Sequence, residues 1–282
     1  SPSNFSAMRL AGIMKDKNNL VFFGGVHATT AHKYAIANCP QLDFVFVGEA
    51  EQSLPKLLKG IIMGSEPLSS LEGVTYRSQA GLVFGEQIRQ PGQDITFPDF
   101  EFLSYDRFPD IWGTERVFRV QSARGCKYRC SFCAQAIALA LSPLERLANY
   151  LVYLSEKSGS KSIIIFFEDA TFTSDRARAL DFCAKLEELR STRGIGVSWG
   201  CQTRADCLER ELIAKMSAAG CIYVYIGVES LNAQSLRLVT KALNYSGYGS
   251  PVERIEETLK ALAEHNVSVG CSVIMGLETD TL

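Results

Sequence analysis

No apolar run in this 282-residue sequence approaches the roughly 20 residues that a helical membrane span needs. The N-terminal stretch lacks the charge, apolar and small-residue order of a signal peptide. Charge of one sign is also missing: the net charge is −2, which gives no general pull toward nucleic acid or an anionic membrane. No Gly-x-Gly-x-x-Gly fingerprint follows a strand, so the usual sign of a nicotinamide cofactor is absent. The cysteine count, nine, is odd, and most cysteines sit singly in apolar runs such as "VSWGCQT". That suits free thiols in a reducing, cytoplasmic compartment better than a disulfide framework. With 46% hydrophobic residues the chain can bury a sizeable core, and its length predicts two domains.

Periodicity divides the chain into three stretches. In residues 1–62, "SNFSAMRLAGIMKDKNN" reads as a helix with Leu10, Ile13 and Met14 on one stripe. "LVFFGG" and "DFVFVGE" read as buried strands ending on glycine, each followed by a helix, "AHKYAIANCP" and "EQSLPKLLKGII". Strand, glycine turn and helix, twice over, predict a doubly wound, Rossmann-like layer. Residues 63–112 hold a hairpin, "GVTYR" and "LVFGE" about a glycine turn, then a Pro/aromatic connector, "ITFPDFEFLSYDRFPD".

Residues 113–282 alternate strand and helix: "VFRVQSA", "SIIIFF", "GVSWGCQT", "CIYVYIGV" and "VSVGCSVIMGL" with helices between. Two helices open on the same Ser-Pro-x-Glu signal. In each the serine (Ser142, Ser250) is read as N-cap, with Pro143 and Pro251 at the first helical position and Glu145 and Glu253 closing a capping box. Five such strands predict a parallel sheet curling toward a barrel, with reacting groups at the strands' C-terminal ends. The conspicuous polar residues fall there: Glu168 and Asp169, Gln202 and Arg204, Glu229 and Ser230.

After the first of these strands, "RGCKYRCSFC" sets Cys126, Cys130 and Cys133 at spacings of four and three. No histidine or further cysteine lies near them. A closed zinc site needs four ligands, so a distant thiol would have to complete it. Cys130-x-x-Cys133 alone has the form of a redox pair, which leaves Cys126 without a role. A four-iron four-sulfur ([4Fe-4S]) cluster held by three thiolates, with one iron open to a further ligand, uses all three.

The spacing Cys-x-x-x-Cys-x-aromatic-Cys, with Phe132 as the aromatic, resembles the signature of radical S-adenosylmethionine (SAM) enzymes. The resemblance implies a partial (β/α)6 TIM-like barrel in which the open iron chelates S-adenosylmethionine. One electron then releases a 5′-deoxyadenosyl radical that takes a hydrogen atom from substrate. It places Phe132 near the adenine. Glu229, in "IGVES", becomes a ribose partner, against a reading as a cap or ion pair. Arg204 becomes a partner for the methionine carboxylate, against an ion pair with Asp206 or Glu209. Ile274, in "SVIMGLETDT", packs on adenine, although Ser272 and Thr279 depart from the glycine and the acid of that motif. Glu168, Asp169, Gln202 and Ser230 are candidates for substrate or S-adenosylmethionine contact. Glu168 and Asp169 read equally well as the start of the following helix.

The front end resembles the cobalamin-binding domain of a subset of these enzymes. Gly24, Gly25, His27 and Thr29 match a Gly-Gly-x-His-x-Thr turn, and Gly48 and Glu49 a Gly-Glu turn, with Ala50 replacing a glycine. Cobalt in that subset is commonly left without a protein ligand, so His27 is taken as a corrinoid contact and not as a cobalt ligand. Both domains then read as partial. The implied activity is methylation of an unactivated carbon, with a small-molecule or peptide substrate and an electron donor such as flavodoxin or ferredoxin. The alternatives are cyclisation or rearrangement, radical chemistry without cobalamin, or a non-enzymatic iron–sulfur or zinc module.

Overall fold

A computed structural model describes residues 2–17, 19–64, 71–89, 95–100, 117–134, 138–241 and 247–279. It divides into two compact units, residues 1–90 and 91–282. Connector residues 101–116 and loop residues 135–137 lie outside the described residues.

In the first unit, helix α1 (Pro2–Lys15) precedes strand β1 (Phe22–Phe23), α2 (Val26–Asn38), β2 (Phe44–Phe46), α3 (Ser53–Met63), β3 (Val74–Ser78) and β4 (Gly81–Val83). β1 and β2 pair in parallel, and the β3–β4 hairpin adds to β2 antiparallel. The hairpin therefore extends this sheet. β2 is fully buried as its apolar run demands, but β1 is a two-residue edge strand with Phe22 37% exposed. The expected buried strand is thus a short edge, because only β2 pairs with it among the described residues. The stripe on α1 also differs from expectation. Leu10, Ile13 and Met14 stay exposed, while Ala11 is buried in the core and Met8 packs against it.

The second unit holds β5 (Val117–Val120), β6 (Ala123–Arg124), β7 (Ala140–Leu141), α4 (Leu144–Ser158), β8 (Ser162–Phe167), α5 (Arg176–Arg193), β9 (Gly196–Thr203), α6 (Arg210–Ala218), β10 (Cys221–Glu229), α7 (Ala233–Leu238), α8 (Pro251–Glu264) and β11 (Ser268–Val273). Five strands form one parallel sheet in the order β11-β10-β9-β8-β5, so each pairs with its neighbours in that β/α sequence. That is the singly wound order of a barrel and not the reversal of a doubly wound sheet. β6 and β7 pair antiparallel. They tie the apolar "ALAL" segment after the cysteines back to the chain before them, a pairing the sequence did not announce.

Burial alternates along the central strands. Ile163, Ile165 and Phe167 of β8, and Val197, Trp199 and Cys201 of β9, face the helices and are closed off from water. The rings of Phe167, Phe172, Phe182 and Trp199 form the aromatic centre of this core, at centroid distances of 4.4–6.0 Å. On α4, Leu147, Leu151 and Leu154 form one buried stripe against β8 and α5.

The two Ser-Pro-x-Glu signals do not behave alike. Ser250 accepts the Glu253 N–H at 3.2 Å, and the Glu253 carboxylate accepts the Gly249 N–H at 2.7 Å. Ahead of α4 the cap is Pro143, and Ser142 is fully buried with its hydroxyl unpaired. Pairing of β7 with β6 decides this, since the Ser142 N–H donates to the Ser122 carbonyl at 2.9 Å and holds the residue in the ladder. Ser250→Ala is therefore expected to cost about 1 kcal/mol. Ser142→Ala should cost nothing or stabilise, because it removes a buried, unpaired hydroxyl. Chemical denaturation of the two variants checks the contrast.

Candidate functional site

The cysteine loop leaves β6 and is held from three following strand ends. From the segment after β8, Asp169 accepts the Ser122 N–H (2.6 Å), the Ser122 hydroxyl (2.5 Å) and the Ala123 N–H (2.9 Å). Nearby, Thr171 Oγ1 stands 3.6 Å from Cys126 Sγ, and Lys127 Nζ donates to the Ser174 carbonyl. Beyond β9, Arg204 Nη1 stands 3.6 Å from Cys130 Sγ. Past α7, Ser131 N–H donates to the Val239 carbonyl at 3.0 Å and the Thr240 hydroxyl to the Arg129 carbonyl at 2.7 Å.

Cys126, Cys130 and Cys133 line one cavity of about 170 Å³ at the C-terminal ends of the parallel strands. Phe132, Gln202, Arg204 and Glu229 line it with them. Phe132 is 44% exposed, so its ring is accessible. Glu168, Asp169, Ser230 and Ile274 stand outside this lining. Glu168 forms an exposed ion pair with Arg119 at 2.5 Å. Asp169 is buried and its oxygens face the chain before the loop. Ser230 Oγ accepts the Asn232 N–H at 3.0 Å, a turn contact leading into α7. Ile274 N–H donates to the Glu229 carbonyl at 2.8 Å, continuing the strand pairing. Among the described residues, no three His, Cys, Asp or Glu side chains converge on a single-ion position.

Two buried ion pairs set the electrostatics. Arg204 grips Asp206 through Nε (2.9 Å) and Nη2 (3.0 Å), with side chains 7% and 5% exposed. Of the two acids weighed as alternative partners for Arg204, Asp206 is the one it binds, in a buried bidentate pair. Glu229 pairs with Lys241 at 2.8 Å, and Lys241 also donates to the Gly227 carbonyl at 2.6 Å. Ser272, the residue that departs from the resembled glycine, puts its hydroxyl 3.4 Å from the Glu229 carboxylate. Glu229 takes a left-handed backbone (φ 62°) where the β10–β11 register shifts. Such a residue is uncommon outside glycine, and here the irregularity re-aims the carboxylate.

Sequence reading missed Lys241, Tyr128 and Tyr225 in the cavity wall. Lys241 follows the short α7, whose six residues gave no periodic signal. Tyr128 sat in plain view between the cysteines. The Arg204 guanidinium lies 3.9 Å from its ring centroid, and its hydroxyl is 2.9 Å from Cys207 Sγ. Burial, then the bond to Cys207, pushes the Tyr128 phenol up, so it stays neutral. Burial also pushes the Cys130 thiol up, against the charges of Arg204 and Lys241.

In the first unit, Thr29 joins the two glycine turns. Its hydroxyl donates to the Gly25 carbonyl at 3.0 Å and accepts the Gly48 N–H at 2.9 Å. Gly48 has φ +91°, and a Cβ there would stand 2.2 Å from the Ile88 carbonyl oxygen, so glycine is required. Glu49 N–H donates to that same oxygen at 3.2 Å. Gly24, Gly25 and His27 are exposed at the start of α2.

Residues 120–282 match the radical SAM superfamily. An uncharacterised methyltransferase of Pyrococcus horikoshii, PH0819, is 27% identical over 98% of this chain and 59% of its own length. An anaerobic magnesium-protoporphyrin IX monomethyl ester cyclase of Rubrivivax gelatinosus is 25% identical over the whole chain and 50% of its own. The chain thus spans about half the length of these curated relatives. Among solved structures, the cobalamin-dependent S-adenosylmethionine radical enzyme OxsB with aqua-cobalamin bound superposes at a TM-score of 0.72 and 18% identity, covering 98% of this chain and 39% of that one. The radical S-adenosylmethionine methyltransferase TsrM of Kitasatospora setae, with cobalamin and [4Fe-4S] cluster bound, also gives 0.72, at 16% identity, covering 98% and 55%. These likenesses establish the α/β fold with its parallel sheet.

Burial raises the Asp169 carboxyl from 3.8 to about 6, against its hydrogen bonds from Ser122 and Ala123 and the charge of Arg178. An acid whose pKa is higher when folded binds more protons in the native state, so stability should fall as pH rises from 3.8 toward 6. Asp169→Asn should remove that fall, since an amide oxygen can still accept from both N–H groups. Asp169→Ala strands the donors, at roughly 1–3 kcal/mol each. Urea denaturation of the three proteins across this pH range reads both effects.

Proposed function

The chain belongs to the radical SAM superfamily, and on that footing we propose that it is a cobalamin-dependent radical S-adenosylmethionine enzyme that methylates an unactivated carbon. The family's cofactors are S-adenosylmethionine and an iron–sulfur cluster. The observation that carries the reading is the gathering of Cys126, Cys130 and Cys133 at one cavity with Gln202, Arg204 and Glu229, where parallel strands end.

The donor set fits a cluster. A single zinc needs its sulfurs about 2.3 Å from one point. A cluster takes thiolates on separate irons, which suits three thiols that share a cavity without converging on one ion. Cys126, Cys130 and Cys133 would hold the cluster, and with S-adenosylmethionine bound it would supply the electron for reductive cleavage and hence for hydrogen-atom removal from substrate. Phe132 offers its accessible ring to the adenine. Glu229, aimed by the β10 irregularity and held by Lys241, accepts hydrogen bonds from the ribose. Gln202 offers an amide at the cavity wall, and Ile274 extends the apolar edge beyond β11. Asp169 acts through the loop it holds, while Glu168, exposed beside Arg119, is left for substrate.

In the first unit, Gly24, Gly25, His27, Thr29, Gly48 and Glu49 would line the corrinoid. The support is the Thr29 link, which fixes both glycine turns side by side and leaves Gly24, Gly25 and His27 open. A methylated corrinoid bound there would supply the methyl group. A small-molecule or peptide substrate and a flavodoxin- or ferredoxin-type reductant complete the scheme. The cyclase among the relatives favours ring closure as a second reading.

Anaerobic reconstitution with iron and sulfide, then reductant and S-adenosylmethionine, should yield 5′-deoxyadenosine. Alanine at Cys126, Cys130 or Cys133 should abolish cluster binding, whereas Cys183→Ala should retain it, because Cys183 lies buried on α5. A full cluster in the Cys130 variant would contradict the assignment. Bound corrinoid in the purified protein, read from its visible spectrum, separates this reading from radical chemistry without cobalamin. Product mass separates methyl addition from ring closure.

A further inference from the structure

Arg204 was nominated from sequence as a partner for the methionine carboxylate. Its geometry points elsewhere. The guanidinium offers a fixed fork of donors. One edge, Nε with Nη2, is taken by Asp206 at 2.9 and 3.0 Å. A ring covers it, with the Tyr128 centroid 3.9 Å from the guanidinium carbon. The remaining nitrogen, Nη1, is aimed at Cys130 Sγ at 3.6 Å. Tyr128 is itself fixed by its hydroxyl on Cys207 at 2.9 Å. Side chains from the cysteine loop and from the turn after β9 thus hold one N–H on one thiol, and Arg204 is only 5% exposed.

We propose that Arg204, fixed by Asp206 and Tyr128, is a positioning residue that tunes the reduction potential of the cluster by donating a hydrogen bond to the Cys130 thiolate. The inference rests on the cluster assignment above and deepens it. Hydrogen bonds to cluster sulfurs and their surroundings set the potential. Reduction adds one negative charge to the cluster and its ligands, so a fixed N–H on a ligand sulfur stabilises the reduced form more than the oxidised one. Asp206 holds the opposite edge of the guanidinium, so the influence on the cluster is sharpest along the one N–H that faces Cys130. It therefore acts on the nearest thiolate and depends on the aim of the fork. Lys241 cannot substitute for it, since its ammonium is bound to Glu229 and the Gly227 carbonyl.

The test is the midpoint potential of the reconstituted protein without S-adenosylmethionine, by redox titration followed by electron paramagnetic resonance, with iron and sulfide content measured in parallel. Arg204→Gln is expected to load a full cluster and to lower the potential by the equivalent of a tenfold change in the one-electron equilibrium or more, about 59 mV. Single removal of Arg204 takes the bidentate partner from the buried Asp206 carboxylate, which threatens folding. The double variant Arg204→Gln/Asp206→Asn removes both charges and should show the same negative shift. Tyr128→Leu, which keeps the charge and loosens the aim, should shift in the same direction by less. An unchanged potential in a fully loaded double variant would overturn the inference, most directly if its affinity for S-adenosylmethionine had fallen instead. Failure of the unsubstituted protein to take up any cluster would sink the cluster assignment itself, a result distinct from either.

Discussion

A loop that presents three thiols has almost nothing of its own to order it. "RGCKYRC" has neither helical nor strand periodicity, and its backbone groups need partners from elsewhere. Those partners are the ends of the following strands. Asp169 fixes the approach to the loop, and the segments after β8, β9 and β10 each bind a different part of it. The site therefore exists because the parallel sheet delivers successive strand ends to one rim. The apolar alternation that buries Ile163, Ile165, Phe167 and Trp199 is what fixes that rim.

Charge inside the cavity is handled by pairing. Arg204 with Asp206 and Glu229 with Lys241 are each nearly closed off from water. Buried pairs of this kind add little to stability compared with apolar substitutes. Their effect is orientation: each pair holds one polar group at the cavity wall in a single direction. Glu229 shows how tightly this is specified, since its left-handed backbone and its link to Ser272 act on the same carboxylate.

Much of this was legible in the sequence, for reasons that can be located. The five parallel strands were visible because each is a compact apolar run, and the first four are each followed by a helix of clear polar and apolar patterning. The thiol trio was visible because spacing survives without any knowledge of the fold. Legibility ended where a contact depends on partners distant in the chain. Ser142 and Ser250 carry the same local signal, yet β6–β7 pairing removes the first from capping duty. Lys241 reaches Glu229 through a one-turn-and-a-half helix that no periodicity could announce. Arg204 was seen, but its choice among carboxylates was not, because Asp206 lies in a tight turn whose burial only the packed structure reveals. At the front, the spacing of Leu10, Ile13 and Met14 spelled the helix but not which residues it buries, since those three are exposed and Ala11 is buried.

The strand order has a consequence for biosynthesis. A sheet whose neighbours follow one another along the β/α sequence can extend at a single edge while the ribosome is still translating, without waiting for a distant strand. The thiol loop emerges after the first strand of that sheet, well ahead of Thr171, Arg204 and Thr240, which secure it. Nascent chain thus exposes the three thiols before the residues that hold their loop have been made.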